Sequence, residues 1–86
     1  MIVKVNDKNS AYKLVQYISN KHLQELCLIV ERIGMQFICK YNSYDKKECL
    51  HAVDLYIGNV LTTTYFEPSI QHAFFDIIDY IFNREN

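Results

Sequence analysis

The chain opens on an alternation of side-chain types. In MIVKVN, Val3 and Val5 fall on one side and Ile2 and Lys4 on the other, the period-two signature of a strand over 1–6. The polar stretch Asp7 to Ser10 interrupts the alternation as a turn, with Asn9 or Ser10 placed to cap a helix. The helix expected over 10–20 gathers Ala11, Leu14, Val15 and Ile18 on one stripe and sets Lys13, Gln16 and Asn20 opposite. Carried past Asn20 at about 100° per residue, the same helix would bring His22 and Glu25 onto its apolar face, so a break is expected there. Residues 22–33 then fit two patterns. Leu23, Leu26, Cys27, Val30 and Ile33 form a new helical face, while the short β-branched run CLIV reads as a strand.

Gly34 suits a helix C-cap and a hairpin turn equally. After it, Met35, Phe37, Cys39 and Tyr41 alternate with Gln36, Ile38 and Lys40, giving the clearest strand of the chain over 35–41. Asn42-Ser43 then starts a helix over 44–61, with Ser43 as N-cap and Asp45 in the favourable first turn. Cys49, Leu50, Val53, Tyr56, Ile57, Val60 and Leu61 supply its apolar stripe, and Gly58 weakens it without ending it. TTTYFE is β-prone, which makes 62–66 a candidate third strand. Pro68 stands at the first position of a last helix over 68–83.

That last helix is more apolar than a surface helix requires. Ile70, Phe74, Ile77 and Ile81 make a core stripe, Phe75, Ile78 and Phe82 continue round one side, and Ala73 and Tyr80 round the other. The polar strip of His72, Asp76, Asp79 and Asn83 spans only about 60°, and the apolar sector is roughly twice the ordinary 100° of a surface helix. Either neighbouring elements cover the helix on several sides, or its Phe75, Ile78 and Phe82 flank meets a partner.

Composition bounds the rest. The 86 residues correspond to one domain, 1–86, and half of them are hydrophobic with only two Gly and one Pro, a globular balance. The longest apolar run, Leu26 to Val30, is far short of a membrane span, and the N-terminus lacks the features of a signal peptide, so a cytoplasmic location is expected. Three widely spaced cysteines, Cys27, Cys39 and Cys49, fit reduced thiols better than a disulfide framework. The net charge of −1 conceals a split: residues 1–47 hold eight Lys/Arg against four Asp/Glu (+4), and residues 48–86 hold one against six (−5). Such a split can orient a partner or a second copy, unless the fold mixes the two halves.

Candidate chemistry is sparse. His72, Asp76 and Asp79 share one helix face at helical spacing, as a metal site or acid–base pair needs, but they are also that helix's whole polar face. His51 and Asp54 are likewise one turn apart on the expected helix. Cys49-x-His51 with Cys39 lacks the paired knuckles of a zinc site. No Gly-rich phosphate loop or nucleophile elbow is present, so no catalytic residue, metal or cofactor is expected and the chain does not read as an enzyme. In KYNSYDKK, Lys40, Lys46 and Lys47 interleave with Tyr41 and Tyr44 as single-strand nucleic-acid binders require. Asp45 and Glu48 dilute that cluster, and the pI near 6.3 is low for phosphate recognition.

The expected fold is therefore α+β, a small sheet packed against helices, with an all-helical bundle as the alternative. The expected function is a small cytosolic protein–protein interaction module of inhibitor, immunity or adaptor type. In this reading Phe75, Ile78 and Phe82 anchor the partner, while Asp76 and Asp79 steer a partner with a basic surface. A homodimer through the same helix is a variant. The alternative function is a small nucleic-acid-binding regulator using Lys40, Lys46 and Lys47.

Overall fold

The computed structural model describes residues 1–83. Its elements run β1 (Ile2–Val5), α1 (Lys8–Tyr17), α2 (Asn20–Glu25), β2 (Cys27–Arg32), β3 (Met35–Asp45), β4 (Leu50–Ile57), β5 (Val60–Glu67) and α3 (Ile70–Asn83). The strands form one sheet in chain order, β1-β2-β3-β4-β5, with β1 parallel to β2 and every other pair antiparallel. A parallel neighbour cannot be reached by a hairpin, so the chain crosses back through α1 and α2 before β2 begins. The fold is α+β, as the alternation of Val3/Val5 and of Phe37/Cys39 led us to expect.

Local chemistry sets the boundaries. Asp7, rather than Asn9 or Ser10, caps α1: its carboxylate accepts from the Ser10 N–H at 2.8 Å and from the Ser10 hydroxyl. The break expected near Asn20 is made by Ser19, which caps α2 by accepting from the His22 N–H. Residues 22–33 satisfy both of their patterns in turn, ending α2 at Glu25 and then running as β2. Gly34 belongs to a hairpin. Arg32 pairs with Met35, and the two residues between them, Ile33 and Gly34, both have positive φ (53° and 71°), as the tight turn matching strand twist requires.

The helix expected over 44–61 does not form; the region is a four-residue turn, β4 and the start of β5. Asp45 Oδ1 accepts from the backbone N–H groups of Lys47 and Glu48, so the carboxylate read as a first-turn helix residue instead closes the turn. Cys49 leaves that turn at φ 57°. At the other end Gly58, at φ 63°, and Asn59 make the two-residue hairpin between β4 and β5. Eight residues between two tight turns form a strand, and every residue from Ala52 to Leu55 is buried.

The core lies between one face of the sheet and the three helices. Leu28, Val30, Phe37, Cys39, Val53 and Leu55 come up from the strands, and Ala11, Val15, Leu23, Phe74, Ile77 and Ile81 come down from the helices. Helix α3 crosses β3, β4 and β5 while α1 and α2 pack along its flanks. That position explains its apolar girdle. Five large side chains of α3 (Ile70, Phe74, Ile77, Ile78 and Ile81) are buried, together worth on the order of 10 kcal/mol before the entropy of ordering them is subtracted.

Candidate interaction surface

The flank expected to bind a partner is divided by the fold. Ile78 is fully buried in the core, so it cannot act as a surface anchor. Phe75 is half-buried, its ring 4.9 Å from that of Tyr12 on α1. Phe82, seven residues on and so about 10 Å further along the axis, is half-buried under the Arg32 guanidinium, which lies 4.7 Å from its ring centroid. Asp79 accepts from the Tyr12 hydroxyl and pairs with Lys8 Nζ at 3.4 Å, clasping α3 to α1. Burial of the phenol, and then the Asp79 carboxylate it bonds, push Tyr12 up to about 12. Asp76 approaches Glu67, and the hydrogen bond between the two carboxyls, then burial and their mutual repulsion, raise Glu67 above its ordinary range. These residues hold α3 in place instead of presenting one continuous patch.

The basic-aromatic cluster is also dispersed. Lys40 lies on the sheet face away from the helices, while Tyr41 packs against the core on the other face and bonds His51 Nδ1 at 2.9 Å. Lys46 and Lys47 sit in the β3–β4 turn. Tyr44 stacks on His51 with ring centroids 4.5 Å apart, and its hydroxyl is raised first by a hydrogen bond with Cys49. Cys39 is fully buried, and burial pushes its thiol far up. Among the described residues no group of three His, Cys, Asp or Glu side chains lies close enough to hold a metal ion. Likewise, no helix of the described residues is long and apolar enough to cross a membrane.

A different surface emerges from strand order. The helices cover one face of the sheet, and on the other face the register lines up side chains from all five strands. One row runs Lys4, Ile29, Ile38, Tyr56, Leu61, and the next runs Ile2, Cys27, Lys40, Asp54, Thr64. Ala52 and Phe66 begin a third. Ile2, Leu61 and Phe66 are 71%, 51% and 59% exposed, and Ile29, Ile38 and Tyr56 between them are half-buried.

One buried charge lies in this apolar field. Asp54, 7% exposed, accepts from Asn42 Nδ2 at 3.1 and 3.0 Å and from the Thr64 hydroxyl at 2.7 Å. Two donor groups on the flanking strands, the Asn42 amide and the Thr64 hydroxyl, make three contacts that offset the cost of desolvating the carboxylate. The Asn42 donor depends on a bulge: register shifts between Tyr41 and Ser43, and the extra residue turns its amide toward Asp54. The alternation of Ala52, Asp54 and Tyr56 against Val53 and Leu55 was the signal in the sequence for this face, and the competing helical stripe masked it.

Comparison with known proteins found no matching family model, curated protein or solved structure.

Proposed function

We propose that this protein is a small cytosolic interaction module, of inhibitor, immunity or adaptor type, that binds another protein through the helix-free face of its sheet. The observation carrying this reading is the side-by-side alignment of Ile2, Ile29, Ile38, Tyr56, Leu61 and Phe66 on a face that none of the three helices covers. Contiguous exposed apolar surface on a folded domain usually serves recognition. The exposed cations of the face are Lys4 and Lys40, while its carboxylate, Asp54, is sunk among hydrogen-bond donors. The fitting partner is therefore an apolar patch rimmed by acidic groups, which Lys4 and Lys40 orient. A basic partner was expected from Asp76 and Asp79; with Asp79 held by Lys8 and Tyr12, the steering charges of this proposal are the two lysines.

A second reading draws on the same face. Phe66 and Tyr56 with Lys4 and Lys40 provide stacking surfaces and cations on an open sheet, an arrangement that suits single-stranded nucleic acid. The nearby Asp54 and the scarcity of Arg weigh against it.

Affinity capture from host extract followed by reconstitution with the purified partner tests the proposal. Ile38→Asp and, separately, Leu61→Asp should keep the wild-type circular dichroism and lose saturable binding, while Phe75→Asp keeps it. Undiminished binding by both face variants contradicts the reading. Binding to mixed single-stranded DNA or RNA that falls steeply with salt supports the second reading instead.

A further inference from the structure

The two edges of the sheet are built differently. β1, at one edge, has four residues and carries Lys4 in their midst; brevity and an edge lysine both discourage pairing with another strand. A shallow groove of about 450 Å³ runs beside it, between Val3 and Val5 on the strand and Leu14 and Tyr17 on α1 with Ile18 just past its end, but no feature there overrides that protection. β5, at the other edge, has eight residues, and none from Val60 to Phe66 is charged. Its one guarding feature is a bulge at Thr62, where the register with β4 shifts between Leu55 and Tyr56. From Thr63 to Glu67 the pairing with β4 is regular, and its other side ends the sheet.

We infer that β5 pairs antiparallel with β5 of a second copy of this chain, in a register centred on Tyr65, joining two sheets into one of ten strands. The strand is its own complement in that register. Phe66 lies opposite the partner copy's Thr64 on the helix-free face, and Tyr65 opposite Tyr65 beneath the helices. Glu67, whose carboxyl is turned to Asp76 of its own chain, lies opposite the partner copy's uncharged Thr63. Cross-strand pairs of these kinds are individually small but favourable. The antiparallel sense also separates the two Glu67 carboxylates by four residues, about 13 Å along the strands, beyond the screening length at physiological salt. A parallel arrangement would set them side by side. No charge within Thr63 to Phe66 selects a foreign strand over this one. Five residues a side form a small interface, so the dimer is weak, with dissociation in the range of about 10–100 μM. The inference stands apart from the proposed recognition face, because it concerns the backbone edge and needs neither Ile29 nor Ile38.

Sedimentation of the intact chain from about 5 μM to 1 mM, spanning that range, tests it with two charge variants. Wild type should pass from the 10.2 kDa monomer to a species of twice that mass. Thr63→Glu places a carboxylate opposite Glu67 twice per dimer and should weaken association about tenfold. Thr63→Lys, which perturbs the fold comparably, should retain or strengthen it. In a Cys49→Ser background, Tyr65→Cys should form an intermolecular disulfide on mild oxidation, since directly opposed positions lie within bridging distance. A wild type that stays monomeric throughout, equal effects of the two Thr63 variants, or no cross-link at position 65 overturns the inference. Dimerisation with unaltered loss of partner binding in Ile38→Asp leaves both proposals standing, and either can fail without the other.

Discussion

Ile33 occupies the first position of the β2–β3 turn at φ 53° with its side chain 70% exposed. A β-branched residue in the left-handed region costs about 1–2 kcal/mol, and so exposed a side chain recovers little of it by packing. Ile33→Asn should therefore stabilise the protein by about 1 kcal/mol, raising the melting temperature by about 5 °C. An unchanged or lower midpoint would mean that the turn is held by something other than its backbone preference. Tyr12 carries a second prediction. Its folded pKa is raised from the ordinary 10.0 to about 12, first by burial and then by Asp79. The contact's stabilisation is thus complete below pH 10 and is lost as pH climbs from 10 towards 12. In a spectrophotometric titration of the seven tyrosines, Tyr12 should ionise last. Tyr12→Phe should remove that late component and flatten the alkaline loss of stability; a late component surviving in the variant contradicts the assignment.

At the scale of elements, legibility followed periodicity. β3 was readable because Phe37 and Cys39 face the core while Gln36 and Lys40 face water. Helix α3 was readable from Pro68 and its wheel, and its excess apolar surface is accounted for by the sheet beneath it and α1 and α2 beside it. β4 was not readable. Ala52 to Leu55 are buried on both faces of the sheet, so the half that would be polar offers only Asp54 between Ala52 and Tyr56, and the run also fits a helical stripe. Within α3 the same division predicts energetics. Ile78→Ala, in the core, should cost about 2–5 kcal/mol, whereas Phe75→Ala, half-buried beside Tyr12, should cost about 1–2 kcal/mol. Urea midpoints compare them directly, and equal losses would show that Phe75 is as much a core residue as Ile78.

For the molecule as a whole, the recognition face was legible in the sequence only strand by strand, because strand order assembles it. Ile2, Ile29, Ile38 and Leu61 stand far apart in the chain and meet only through register. The charge split was visible in the sequence, but the fold brings the two halves together: Lys8 on α1, from the basic half, pairs with Asp79 on α3, from the acidic half, at 3.4 Å. Arg84 and Glu85, counted in the acidic half, lie outside the described residues. The most direct test of the account is a methyl-labelled NMR titration of the chain with its purified partner, read at the isoleucine signals. Ile2, Ile29 and Ile38 should shift or broaden, while Ile70, Ile77 and Ile81 stay in place; shifts centred on α3 with the three sheet-face methyls unmoved would contradict it.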